Sequence, residues 1–332
     1  KENNKYGVKN DSVEKYLKLA DNFEFSKNLR NQYNKKALSF VDLEKKDTAT
    51  MWYLHRMSKY AVSLSDSILY KLVSRHHNKL AVDNNDTLNL ARYFRIRGTY
   101  YKNRNVFDSA FFYYNKSEKL YLKINRSLNK ELAYLYNNKS FIQDLYGDYS
   151  GAYLSSSLSL QVFDKHKDYN MIYNCLNDLG NIEHSLHNYT NAIKYHQRAY
   201  YLQLKSPTLN PYGIRNYNRL SSSLNNIGNS YRELGDFEKA IFYFKKALAE
   251  ESKSKDDMEL RAYVYNNLGY IYLKQRKHED LPNLFEKASI IFDSVKNYNE
   301  CAISNMYLSD YYLQIKDTAK AISFSNKALR LV

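Results

Sequence analysis

Asparagine recurs in this chain at spacings that could support one kind of chemistry. Asn137, Asn177, Asn225 and Asn266 fall 40, 48 and 41 residues apart, and Asn138, Asp178, Asn226 and Asn267 follow directly behind them. Asn181 and Asn229 stand four positions beyond Asn177 and Asn225. A primary amide offers donors and an acceptor together, so a row of amides can pair with the N–H and C=O groups of an extended peptide without reading its side chains. Asparagine is common throughout the sequence, and descent of repeats from one ancestor would also leave such a column. Both explanations stay open at this level.

A second set is cationic. Arg92, Arg95 and Lys102 fall at i, i+3 and i+10 on one helical face, with Arg104 just beyond. Three cations on one face could meet an acidic segment or a terminal carboxylate, and a solvated basic face has the same pattern. Catalytic and metal chemistry find no foothold. His76 and His77 are adjacent, so on a helix they point about 100° apart. His184 and His187 are three apart, but His187 falls at a turn and no Cys, Asp or Glu completes a ligand set. Phosphate-binding glycine loops, His-Glu-x-x-His and Gly-x-Ser-x-Gly are missing from the sequence. The expectation is a protein that is not an enzyme, with no cofactor and no metal.

The elements that must position these residues are short helix pairs. In 224–248, Leu224, Ile227, Tyr231 and Leu234 make an apolar stripe at helical spacing. Gly235-Asp236 interrupts it, and Ala240, Phe244, Ala247 and Leu248 rebuild a stripe on a second helix. Two helices with one apolar face each need neighbours of their own kind, and copies run before and after. Gly98, Ser140, Gly180, Gly228, Gly269 and Ser309 share one column; Ala110, Ala152, Ala192, Ala240 and Ala321 share another. A glycine inside a helix costs about 1 kcal/mol against alanine, so its recurrence at one column points to close helix packing. Pro282 is tolerable only in the first turn of its helix. One irregular joint, 206–213, holds two of the three prolines and stretches the Gly-to-Gly spacing to 48 from the usual 40 to 42.

This pattern of a large apolar residue, then Leu-Gly, Tyr, Gly-Asp, Ala, Phe and Ala resembles the tetratricopeptide repeat. Leu224, Ile227, Gly228, Tyr231, Gly235, Asp236, Ala240, Phe244 and Ala247 carry the resemblance, and Arg97, Gln143 and Glu183 depart from it. The spacing is similar to the longer-repeat subclass of bacterial regulators and kinesin light chain. The resemblance implies an all-α, right-handed superhelical solenoid of stacked antiparallel hairpins. The expected organisation is a lead-in and atypical capping pair over 1–48, then an array of about seven pairs over 49–332. It also implies that first helices line a concave groove. There Ser222, Asn225 or Asn226, Asn229, Arg232 and Glu233 would face inward, joined by Asn137, Asn138, Asn177, Asn181, Asn266, Asn267, Arg92, Arg95 and Lys102. Tyr134, Phe141, Tyr263 and Tyr270 would fall near the groove as apolar pockets or as interlayer packing.

Composition agrees with a helical array and bounds the partner. Nine Gly and three Pro are too few for a turn-rich β fold, and 35 Tyr suit thin layers with a wetted edge. The net charge is +15, uneven along the chain: 28 basic against 17 acidic residues in 1–166, and 22 against 18 in 167–332. No apolar run approaches membrane-spanning length, so the chain reads as soluble, with no membrane span. It opens without Met and ends directly after a second helix, which reads as an excerpt of a larger regulator. The compartment stays open, either the cytoplasm or the periplasmic side of a membrane-anchored protein. The expected partner is a protein or peptide, acidic where it meets the basic N-terminal half of the chain. The alternative is a basic solenoid that binds nucleic acid or another polyanion, disfavoured because no recognition-helix or RNA-binding signature accompanies the charge.

Overall fold

The computed structural model describes residues 10–124, 130–205, 217–253, 258–277 and 280–331, so the irregular joint at 206–213 lies outside the described residues. Among them sixteen helices occur and no strand. They fall into two compact units, Lys1–Val162 and Phe163–Val332. The first contains α1 (Asp11–Asp21), α2 (Lys27–Leu38), α3 (Thr48–Ser63), α4 (Ser67–Asp83), α5 (Thr87–Lys102), α6 (Phe107–Lys123), α7 (Lys130–Leu145) and most of α8 (Tyr149–Lys165). The second contains α9 (Tyr169–Ser185), α10 (Tyr189–Leu204), α11 (Tyr217–Glu233), α12 (Phe237–Glu251), α13 (Met258–Lys274), α14 (Leu281–Ser294), α15 (Tyr298–Gln314) and α16 (Thr318–Leu329).

The turns repeat one solution. After Tyr231 the chain closes with Gly235 N–H to the Arg232 carbonyl and Asp236 N–H to the Tyr231 carbonyl, both 3.0 Å. This satisfies carbonyls left over at a helix end and needs a left-handed residue, Gly235 at φ +76°. Asp236 then caps the next helix, its side chain accepting from Lys239 N–H at 3.1 Å. The same geometry recurs with Ser65, Asn105, His187, Arg276 and Lys316 in the left-handed position. α14 starts with Leu281 and places Pro282 in its first turn, as the missing N–H requires.

The glycine column has a specific cause. A Cβ on Gly98, Gly228 or Gly269 would stand 2.5–2.6 Å from the ring of Tyr114, Phe244 or Phe285, sixteen residues further on in the second helix. At Gly180 the ring is the imidazole of His196, at 2.5 Å. Where the later residue is small, the glycine is unnecessary. Ser140 faces Ser156, Oγ to Oγ 2.7 Å, and bonds the Ala152 carbonyl at 2.9 Å.

Each unit has its own apolar interior. In the first, α1–α5 share one core that includes Val13, Leu17, Ala37, Leu54, Met57 and Val73, so the first helix pair packs into the same interior as the pairs that follow. In the second, Leu220, Leu224, Phe244, Ala247, Leu268 and Ile271 form the largest cluster. Cys175 and Cys301 are both buried and form no disulfide.

Candidate functional site

In the second unit the asparagines of α9, α11 and α13 touch one another. Asn226 donates to Asn177 at 3.1 Å and to Asn181 at 3.4 Å. Asn225 donates to Asn226 at 3.4 Å, and Asn267 donates to Asn225 at 3.2 Å. Arg232 closes the row on the Asn267 side chain, pairs with Glu233 at 2.7 Å and lies 5.4 Å over the Tyr270 ring. The row is therefore one continuous amide network across three first helices. Its members are not equivalent. Asn225 and Asn266 are buried, and Asn266 donates to Ser304 at 2.9 Å, while Asn177, Asn226, Asn229 and Asn267 are half-buried and Asn181 is exposed.

Beside the row lies a pocket of about 220 Å³ lined by Asn181, His184, Ser185, His196, Asn226 and Asn229. Three buried polar atoms of these residues lack a hydrogen-bond partner: His184 Nε2, His196 Nδ1 and Asn229 Oδ1. Buried polar atoms are nearly always paired in folded proteins, so three orphans at one opening call for a cause. Burial pushes the His196 imidazole down to about 3, and it lowers His184 as well, so both rings are neutral at physiological pH. A neutral imidazole offers one donor and one acceptor. His196 went unnoticed as a site residue in the sequence. The available signal was its position, since it fills the column of Tyr114, Phe244 and Phe285 with a polar ring.

In the first unit the corresponding helices are lined by charge. Arg92 is buried and meets Glu131, Nε to the two carboxylate oxygens at 2.9 and 3.0 Å, with its guanidinium 5.4 Å over Trp52. Tyr121 donates to the same carboxylate at 2.6 Å. Burial would raise the Glu131 carboxyl, but its neighbours His55, Arg95 and Arg92 outweigh it and hold the group below the ordinary carboxylate range. Arg92 is thus engaged inside the protein, whereas Arg95 buries its Nε without a partner. Lys102 donates to Asn138 at 2.6 Å and stands 5.6 Å over Phe141, and Asn138 donates back to the Tyr134 carbonyl at 2.9 Å. Asn137 is half-buried on the same helix. Tyr263, in the second unit, packs edge-on against Phe292 and accepts from Asn297 at 3.3 Å, which makes it an interlayer residue.

Among the described residues no group of three or more His, Cys, Asp or Glu is placed to hold a metal ion. None of the described helices is long and apolar enough to cross a membrane.

Stacked two-helix units, closed by one recurrent turn and packed through one small-residue column, give each of the two units a helical-repeat fold like that of tetratricopeptide repeats. Residues 170–249 match the tetratricopeptide repeat profile. Among solved structures, the apo form of RapI is similar with a TM-score of 0.69 at 13% identity, over 96% of this chain and 96% of that one. The apo quorum sensor NprR from B. thuringiensis gives 0.64 at 13% identity, over 96% and 97%. A Rap protein complexed with the competence and sporulation factor gives 0.61 at 14% identity, over 96% and 96%. At these identities the likeness is one of fold. A search of curated proteins by sequence finds no match.

Proposed function

We propose that the chain is a non-catalytic protein-binding module, and that its second unit holds an extended peptide or partner segment along α9, α11 and α13. The observation that carries this reading is the amide row beside a pocket with three orphaned polar atoms. Each amide in the row spends part of its capacity on its neighbours, and each retains further donor or acceptor sites. A peptide laid across Asn177, Asn226 and Asn229 can take those sites with its backbone. One side chain of it can enter the pocket and satisfy His184, His196 and Asn229. That side chain is polar and uncharged in this reading, because the pocket offers neutral imidazoles and an amide. The fold likeness to a quorum sensor and to a Rap protein bound to a signalling factor supports a role as the interaction or sensor part of a larger bacterial regulatory protein. In the first unit, Arg95 and the Lys102–Asn138 pair favour acidic residues of a partner.

A displayed library of random decapeptides tests the proposal directly. Peptides selected on the intact chain are expected to lose at least ~10-fold in affinity on Asn177→Ala/Asn226→Ala/Asn229→Ala, about 1.4 kcal/mol. Selected peptides that bind this variant and the parent equally would remove the amide row from the site.

A further inference from the structure

Arg97 occupies a column that is aliphatic in the second unit, where Leu179, Ile227, Leu268 and Leu308 are each at most 4% exposed. The next copy of the repeat also carries a cation there, Lys139, which is 9% exposed. That charge is answered: Lys139 Nζ lies 2.6 Å from Glu118 and 5.2 Å over the Phe111 ring. Glu118 is the twelfth residue of α6, and the twelfth residue of α4 is Asn78. The carboxylate that balances one repeat is therefore replaced by an amide in the other.

Around Arg97 the structure opens a pocket of about 360 Å³, lined by Tyr70, Lys71, Ser74, Arg75, Asn78, Tyr93, Tyr100 and Tyr101. The Arg97 guanidinium donates to the Tyr93 hydroxyl and lies 4.6 Å over the Tyr113 ring. Neither partner is a carboxylate. Among the described residues no carboxylate lines the pocket, and Lys71, Arg75 and Arg97 make no ion pair. Three like charges facing one opening repel each other, and the half-buried guanidinium rests on tyrosine hydroxyl and ring partners with no counter-ion.

We propose that this pocket binds a small phosphorylated molecule, whose phosphoryl group fills the role that Glu118 fills beside Lys139. A phosphate monoester carries close to two negative charges and three acceptor oxygens, which suits three cations better than a single carboxylate does. The planar Arg97 fork matches two of those oxygens. Tyrosine hydroxyls and the Asn78 amide supply further donors. The volume lies within the range of small-molecule sites and leaves room for the organic part of an ester. The site is separate from the amide row and makes no use of it.

Thermal unfolding of the intact chain, titrated with inorganic phosphate, phenyl phosphate, acetate or chloride at matched ionic strength, tests the proposal. Phosphate at saturation is expected to raise Tm by about 4 °C or more over chloride. Preference for phenyl phosphate identifies an ester as the occupant, and equal saturation by both identifies phosphate itself. Arg97→Leu restores the residue usual at this column. It is expected to fold with an unchanged helical signal and to lose the phosphate-dependent rise. Lys71→Ala/Arg75→Ala, at two exposed positions, is expected to weaken saturation by at least ~10-fold. A phosphate effect no larger than that of chloride or acetate, or one that survives in Arg97→Leu, overturns the assignment.

Discussion

The two units use the same hairpin and line it differently. In the second, the first helices α9, α11 and α13 meet chiefly through amides, with Arg219 and Arg232 bonded to asparagines of the neighbouring helices and the rings of buried His196 and half-buried His184 beside them. In the first, ion pairs tie the first helices to their neighbours: Arg56 of α3 to Glu14 of α1 at 2.8 Å, Arg92 of α5 to Glu131 of α7, and Lys139 of α7 to Glu118 of α6. The shared scaffold explains why this is possible. The apolar stripe and the glycine-and-ring pair fix each hairpin, so the opposite face of the first helix is free to vary. A charged lining is stiff in its requirements, because a buried charge that loses its partner is costly. An amide lining is tolerant, because amides pair with one another when nothing else is present and can exchange those bonds for a ligand's. On this view the charged surface is largely committed to internal pairs, except around Arg95 and Arg97, and the amide surface remains available.

The contrast is broken most severely at Glu131. Glu131→Gln keeps the shape but leaves Arg92 buried without its counter-charge, and is expected to cost about 3–5 kcal/mol. Denaturant unfolding measures it, and a loss below about 1 kcal/mol would mean that the charged lining is as tolerant as the amide one. The pair also sets an acid dependence. Glu131 is held below its ordinary range, so its contribution is complete above the unfolded carboxyl range and is lost as pH falls toward the folded value. The Gln variant is expected to lack that acid-side decline.

The scaffold itself should not distinguish the units. Gly98→Ala in the first and Gly228→Ala in the second both drive a methyl to 2.6 Å from an aromatic ring. Overpacking of this kind costs about 1–3 kcal/mol, offset by about 1 kcal/mol of helix propensity. Equal losses in thermal unfolding support a common scaffold. A loss confined to one unit would show that the glycine column does not do the same job throughout.

A pH titration sharpens the comparison on the amide side. His196 has a folded value near 3 against about 6.5 in the unfolded chain, so the unfolded state takes up the proton. Stability is complete above about 6.5 and falls as pH drops from there toward 3, by about 1.4 kcal/mol per unit at most. His196→Phe restores the ring found at Phe244 and Phe285. It should flatten part of that slope, leaving the part due to Glu131 and to the buried His55 and His77 of the first unit, both lowered by burial and His77 to about 4. An unchanged slope would place the acid sensitivity elsewhere.

Much of this was legible in the residues. The stripe at Leu224, Ile227 and Tyr231, the Gly235-Asp236 break and the recurring glycine lead to the hairpin, and the helices follow them. Turns were less legible where Lys316 or Arg276 takes the left-handed conformation, since neither residue advertises it as glycine does. The reason for the glycine column was visible only in part. Close packing was evident, but the partner turned out to be a ring sixteen residues away. The linings were hardest to read, because helical spacing gives the face of a residue and not its neighbour. Arg92 looked free until Glu131 appeared 39 positions on. His196 looked ordinary until its column proved to be aromatic.

The smallest expected effect is the one that bears most directly on function. Asn226→Ala removes a half-buried amide bonded to Asn177, Asn181 and Asn225, of which Asn177 and Asn181 can turn to water and the buried Asn225 keeps its bond from Asn267. Its cost in stability is therefore expected to be about 0.5–1 kcal/mol. Asn266→Ala differs, because the side chain is buried and bonded to Ser304, and about 1–3 kcal/mol is expected there. The two substitutions thus separate a lining from an interior within one column of the sequence. If Asn226 belongs to the ligand row, its variant melts nearly as the parent does and loses peptide affinity, while the Asn266 variant melts lower. Equal destabilisation by both would make the whole row structural. It would also reduce the difference between the two units to a difference in how each holds itself together.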